Sequence, residues 1–515
     1  MPLEEYIPRT SDPTNAELCM IGSSIPALLA EFATARERRL PWEAVWRDCY
    51  AYALPMRGHG LDQSFRPGAN HAERLFDGTA PDAVEQLAAS LLAELTPPWS
   101  RWFGLRPGHD VDPLDADALA AVLDAAALRL QGHFERSNFA VEIHQCFLDL
   151  VTTGTATLLF EEAPIGSASA FQFTAIPAAE IYIDGDANGA IRRHFRSTTV
   201  TLAQLRARFG GCRQLDEIRL PQDESRSTGL ELIEAVTSIG TRFRYQAILP
   251  PQKGFLETPL VLSEGVFEQS PFLTFRWMKG TSELYGRSPV MTALPDIKTA
   301  NKVVELVLKN ASIAVTGIWL AEDDGVLNPA NIRLAPGSII PKAVGSAGLT
   351  PLQAPGRFDV SELVLSDLRT RIRHTLLADR LAPINDRRMT ATEVLERSAE
   401  MTRLLGAIYG RLQTELLTPL LQRSLAILRR RGEVPAVVLD GTIAEILYRS
   451  PLARIQAREE VRNVILWLET VAKFGGNPGQ FADLGETASW LAETLGVPNS
   501  LVNRPALLLD EDHDG

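Results

Sequence analysis

Apolar residues recur at helical spacing through the first 150 residues of this 515-residue chain. They gather into short runs from Gly154 to Leu284 and then return to helical spacing. Ile25, Leu28, Leu29 and Phe32 form one helical stripe. Pro41, a favourable first-turn residue, is expected to open a second helix with Trp42, Val45, Trp46, Cys49, Tyr50 and Ala53 on one face. The clearest helix carries Ala80, Ala83, Val84, Leu87, Ala88, Leu91, Leu92 and Leu95 at i, i+3, i+4 positions. Thr79 is expected to cap it, with Asp82 as the capping-box acid, and Thr96-Pro97-Pro98 ends it. One further helix is expected from near Asp115, with Leu119, Val122, Leu123, Ala126, Leu130 and Phe134 on one face, and another over Ala140 to Val151. The runs Thr155 to Phe160, Phe171 to Ile176, Ile181 to Asp184, Leu230 to Val236, Phe243 to Leu249 and Phe272 to Trp277 have strand character.

A helix–strand–helix block follows. Leu294, Ile297, Val304, Leu308 and Ala311 mark a helix that Pro295 either opens or kinks. Thr316 to Leu320 and Ile332 to Ile340 are expected as short strands. Val360, Val364, Leu368, Ile372 and Leu376 recur every four residues, which predicts a helix over Asp359 to Ala382, roughly 36 Å long. Thr390-Ala391-Thr392-Glu393 is a capping box opening a long helix with Val394, Met401, Leu405, Ile408, Leu412 and Leu416 on one face. Pro419 should bend it and Gly432 should end it. The last eighty residues are expected to hold further helices and an acidic tail.

The chain has 51 Lys and Arg against 64 Asp and Glu, a formal charge of −13. That balance disfavours generic attachment to nucleic acid or to an anionic membrane. Cys19, Cys49, Cys146 and Cys212 are scattered, which argues against a zinc cluster or a disulfide scaffold. No signal peptide and no transmembrane segment is expected. GxxxxGK[ST], HExxH and GxSxG motifs are absent from the sequence. Asp184 to Gly189 matches the first half of a calcium loop. Its twelfth position, counted from Asp184, is Phe195 where a bidentate Glu is needed. Asn188-Gly189 is better taken as a hairpin turn. Trp42, Trp46, Trp99 and Trp102 are expected in the core. Arg429-Arg430-Arg431, in a last helical turn, is explained by the helix dipole. Composition and periodicity together describe an α+β, mostly helical protein with no visible active site.

Several segments resemble a known family. Leu75-Phe76-Asp77-Gly78-Thr79-Ala80, Leu87-Ala88-Ala89-Ser90-Leu91 and Leu95-Thr96-Pro97-Pro98-Trp99-Ser100-Arg101-Trp102-Phe103 look like the N-terminal signature of the portal proteins, the head-to-tail connectors of short-tailed phages. Tyr285-Gly286-Arg287-Ser288-Pro289 with Ala293 to Lys298 looks like the entry to that family's first stem helix. Met389 to Val394 resembles the start of the helix after its tunnel loop, and Glu415 to Leu420 the kinked continuation. The resemblance implies a wing over residues 1–286, a first stem helix over 287–314, a clip over 315–357 and a second stem helix over 358–382. It further implies a tunnel loop over 383–389, a long kinked inner-wing helix over 390–432 and a helical crown with an acidic tail over 433–515.

The partners implied are further copies of the chain in a ring of about twelve, double-stranded DNA in the channel, the terminase large subunit, tail adaptors, and capsid and scaffolding proteins. The place implied is one capsid vertex of the virion, after assembly in the host cytoplasm. No cofactor, no metal and no catalysis are implied. An acidic channel with sparse cationic rings would let DNA slide where a strongly cationic one would hold it. Arg387 and Arg388 in the tunnel loop are the foremost candidates for such rings. Lys298, Lys302, Lys309, Arg369 and Arg373 on the stem helices are secondary, because some must face neighbouring subunits. Two other classes remain open to the sequence: a metal-dependent DNA-processing enzyme without a linear motif, and another structural phage tail or adaptor protein.

Overall fold

The computed structural model describes residues 24–57, 61, 73–111, 113–186, 188–210, 215, 229–252, 256–316, 319–321, 349–351, 358–378, 406, 408–435, 439, 443–449, 451–474 and 481–495. Helix α1 (Ile25–Ala53) is continuous, with Pro41 inside it rather than at a start. The reason lies in what its two halves cover. Leu28, Phe32 and Ala35 pack with Tyr182, Phe195, Ile233, Ala235 and Ile248 in a small core, whereas Trp46, Cys49, Tyr50 and Ala53 enter the main core. Burial on both sides of Pro41 outweighs the one helix hydrogen bond it cannot make. Near the junction the buried Arg39 donates from Nη1 to the carbonyls of Ala178, Ala179 and Ile181. Its guanidinium lies 3.6 Å from the Tyr182 ring centroid. One arginine thus satisfies three carbonyls at the end of a strand connection and fastens α1 to the sheet.

Helix α2 (Thr79–Leu95) buries the expected apolar face. Its cap differs from the expectation. Gly78 holds the N-cap position without a side-chain bond, and Asp77 Oδ1 accepts from the Thr79 backbone N–H at 2.9 Å. Asp82 accepts from Gln86 instead. Strand β1 (Phe103–Pro107) leads into α3 (Pro113–Arg136) and α4 (Phe139–Thr153). Trp46 and Trp102 are buried and Trp42 is packed against the core, but Trp99 is 72% exposed, contrary to the core expectation. It follows Pro97-Pro98, after the helix has ended, and none of the described elements covers it.

Strands β2 (Thr155–Glu162) and β3 (Phe171–Ile176) form a three-stranded antiparallel sheet with β9 (Phe272–Arg276), in the order β3-β2-β9. Strands β4 (Ile181–Gly185), β5 (Ile191–Val200), β6 (Leu230–Ile239), β7 (Arg242–Leu249) and β8 (Leu260–Phe267) form an antiparallel meander in sequence order. Leu230 and Leu232 of β6 join a third core with Leu205 of helix α5 (Leu202–Arg208), while Ile233 and Ala235 join the α1 core. Alternation places these pairs on opposite faces of the sheet. Asn188-Gly189 is a turn between β4 and β5. Asp186 Oδ1 accepts from Asn188 and Ala190 N–H, and Gly189 adopts φ 73°.

Helix α6 (Pro289–Thr316) runs through Pro295 and extends two residues past the expected end. Strands β10 (Trp319–Ala321) and β11 (Leu349–Pro351) pair antiparallel beyond it. The strand expected over 332–340 lies outside the described residues. Helix α7 (Phe358–Thr375) stops short of Ala382: Leu377 takes a left-handed φ of 58°, and its N–H bonds to His374 O. Its buried stripe is Leu365, Leu368, Ile372 and Leu376, and Val364 is exposed. A strict four-residue repeat drifts by about 40° per step on a helix of 3.6 residues per turn. The covered stripe therefore shifts to Leu365.

The capping box at 390–393 and the helix face from Val394 to Leu405 lie outside the described residues. Further on, a π-helical turn (Gln413–Leu417) leads into α8 (Thr418–Arg430), with Pro419 in its first turn. Thr418 N–H reaches Gln413 O, five residues back. Pro419 has no N–H to offer the Glu415 carbonyl, so a widened turn at this point answers a donor the sequence lacks. Gly432 ends α8 at φ 71°. The C-terminal region is not wholly helical. Strand β12 (Ala444–Tyr448) pairs with β1, and helices α9 (Pro451–Lys473) and α10 (Leu484–Leu495) follow.

Candidate functional site

Helices α6 and α7 lie antiparallel. The end of α6 and the start of α7 both adjoin the β10–β11 pair, and at the other end Arg371 of α7 pairs with Asp296 of α6. Val290, Ala293, Ile297 and Ala300 supply one buried stripe, and Leu365, Leu368, Ile372 and Leu376 the other. Asn301 roots the pair in the body of the subunit. Its Oδ1 accepts from the Phe76 and Asp77 backbone N–H groups at 2.6 and 3.2 Å, and its Nδ2 donates to Arg74 O at 3.0 Å.

Four of the cations expected here have specific partners. Lys298 Nζ lies 2.6 Å from Asp48 Oδ2 on α1 and 5.6 Å from the Tyr52 ring centroid. Lys302 and Lys309 share Glu305 between them, at 3.0 and 2.6 Å. Hydrogen bonds from Lys309 and Lys302 hold the Glu305 carboxyl below its usual range. Arg369 reaches Asp77 Oδ2 at 2.8 Å. Burial alone would raise the Asp77 carboxyl. Hydrogen bonds from Thr79 and Arg369 overcome that and lower it. Arg373 is exposed and has no partner among the described residues. Arg387 and Arg388 lie outside them.

Outside the helix pair, the Arg429 to Arg431 cluster does more than complement a dipole. Arg429 pairs with Glu268, Arg430 and Arg431 with Glu162, so α8 is tied to β2 and to the end of β8. Among the described residues no group of three His, Cys, Asp or Glu side chains is placed to hold a metal ion. Asp184 and Asp186 of the calcium-like segment are engaged by Arg38, Arg193 and Arg192. No helix among the described residues is long and apolar enough to cross a membrane.

The arrangement is a helix pair joined to a mixed helix-and-sheet body, its charges mostly neutralised within the subunit. Residues 26–502 match the family model described as bacteriophage head to tail connecting protein. The chain belongs to that family. Two portal proteins are similar to this chain. The probable portal protein of Bordetella phage BPP-1 is 25% identical over 95% of this chain and 91% of its own length. The portal protein of Salmonella phage epsilon15 is 23% identical over 92% and 88%. A chain from the virion of a gene transfer agent particle aligns over 82% of this chain and 90% of its own at 12% identity, with a TM-score of 0.35. Such a loose superposition carries no argument.

Membership of that family points to a part in connecting head and tail. Sequence reasoning named Lys302 and Lys309 but passed over Glu305. Its i+3 and i−4 spacing to them was a usable signal. It had no means to find Asp48, Asp77 or Asp296, whose pairings exist only once distant helices meet.

Proposed function

We propose that this chain is one subunit of a twelve-membered portal ring at a single capsid vertex. In this reading double-stranded DNA passes through the central channel, the terminase large subunit docks during packaging, and tail adaptors take its place afterwards. Capsid and scaffolding proteins surround the ring as it assembles in the host cytoplasm. The observation that carries the proposal is the family match across residues 26–502. The antiparallel α6–α7 pair supports it, being a suitable stem with β10–β11 at the clip end. Residues 1–286 would be the wing, 383–389 the tunnel loop and 433–515 the crown. The protein would act without catalysis and without a cofactor.

Arg387 and Arg388 are the residues we assign to the DNA-facing rings. Arg373 is the stem cation best able to join them, because Lys298 and Arg369 are committed to Asp48 and Asp77. The deciding experiment is native mass with negative-stain imaging of the same sample. Twelve chains of 56.5 kDa give a ring of about 680 kDa, with a central hole. A small particle that cleaves DNA with divalent metal would overturn the proposal.

A further inference from the structure

On α6, Lys302, Leu306 and Lys309 share the side turned away from α7. Leu306 is 53% exposed, and the two lysine side chains 60% and 65%. On α7, Leu363 and Asp367 share the side turned away from α6, at 74% and 70% exposure. Each outward face thus carries an uncovered leucine with a charged residue four positions along, a lysine on one helix and an aspartate on the other.

The heights match as well. Arg371 and Asp296 fix the level at which the antiparallel helices meet. Counting about 1.5 Å per residue from there, Leu363 stands level with Val304, some 3 Å from Leu306. Asp367 stands level with Ala300, about 3 Å from Lys302. Both offsets have the same size and sense.

Cyclic symmetry sets a strict condition on such faces. In a closed ring the contact is heterologous, so one face of a copy meets the opposite face of the next at equal height. The α6 and α7 outer faces meet that condition. We infer that a second copy of this chain covers them, with Leu306 packing on the neighbour's Leu363 and Lys302 pairing with the neighbour's Asp367. This rests on the ring reading and adds its register. The intrasubunit pairs do not stand in the way. Lys302 is itself 60% exposed, and Glu305 keeps Lys309 if Lys302 turns outward. Arg371 to Asp367 is a long, solvent-exposed pair at 3.8 Å, of a kind that contributes little to stability.

The register can be tested by mixing two full-length variants, Lys302→Glu and Asp367→Lys. Alone, each sets like charges against each other at every contact around the ring. Mixed in equal amounts, they can alternate so that every contact again has opposite charges. We expect each variant alone to lower the ring fraction in size-exclusion chromatography by roughly tenfold or more. The mixture should restore it to near the unsubstituted level. Local damage within a subunit would not be repaired by mixing. If the unsubstituted chain forms rings and the mixture stays as poor as its components, the inference fails while the ring reading stands. Single variants that form rings normally but lose DNA retention would also overturn it, placing Lys302 on the channel instead. An unsubstituted chain that forms no ring would overturn both.

Discussion

Arg276 of β9 and Glu415 of the π-helical turn, 139 residues apart, are joined by two side-chain hydrogen bonds of 3.1 and 2.7 Å. Glu415 also accepts from the Arg276 backbone N–H, and Arg276 Nη1 donates to the Gly189 and Leu284 carbonyls. The guanidinium is 6% exposed and the carboxylate 16%. One buried charge pair therefore holds together the three-stranded sheet, the β4–β5 turn, the approach to α6 and the widened turn before Pro419.

Breaking that pair should be costly. Arg276→Ala leaves the largely buried Glu415 with only the longer 3.5 Å contact to Arg411 among the described residues, a loss of about 3 kcal/mol. Arg287→Ala, which removes an exposed pair with Glu283, should cost no more than about 1 kcal/mol. Equilibrium denaturation followed by tryptophan fluorescence compares the two. Equal losses would show that the buried pair has no special weight.

Asp77 should give acid sensitivity of a defined sign. Its folded carboxyl titrates below its ordinary value, held there against burial by Thr79 and Arg369. Its contribution is then complete above the unfolded value of about 3.9 and disappears as pH falls through the lower folded value. The stability gap between the parent and Asp77→Asn should be constant from pH 7 to pH 5 and close below pH 4. A gap that persists in strong acid would rule out this role.

His194 should act in a higher window. Burial, and then the charge of Arg276, depress its imidazole to about 4. It stacks on Phe272, and its Nε2 has no hydrogen-bond partner among the described residues. Between about 6.5 and 4 the unfolded chain binds a proton that the folded one refuses. Stability should fall as pH drops through that interval. His194→Phe should flatten the slope, and an unchanged slope would assign the loss to other groups.

The cations proposed for a tunnel loop call for a functional readout. Arg387→Ala with Arg388→Ala should leave ring yield unchanged and impair packaging or retention of DNA, with a weaker salt dependence of DNA association. Normal packaging in an infected cell would remove these residues from the DNA-facing rings.

What could be read from the sequence depended on whether a residue's environment is local. The α2 stripe and the β3 run were legible because one face of each meets a single continuous core. Gly432 was legible because only a left-handed residue ends a helix that way. Strand β5 was not, since Arg193 and Arg196 sit mid-strand and are balanced by Asp184, Glu31, Glu180 and Glu234 from elsewhere. The continuity of α1 through Pro41 required knowing that two separate cores pull on its halves. Of the candidate site, the cations were legible as residue types. Their carboxylate partners were not, because Asp48 to Lys298 and Asp77 to Arg369 are contacts between segments hundreds of residues apart.

Among the described residues strand β1 pairs with β12, with Arg106 bonded to Glu445 across 339 residues. During synthesis β1 leaves the ribosome with an open edge long before β12 follows. An open edge invites pairing with the wrong chain, and late closure of so long a loop slows folding. The sheet is therefore closed only after Ala444 to Tyr448 have been made. Shortening the chain before Ala444 would leave not a smaller subunit but an unclosed one.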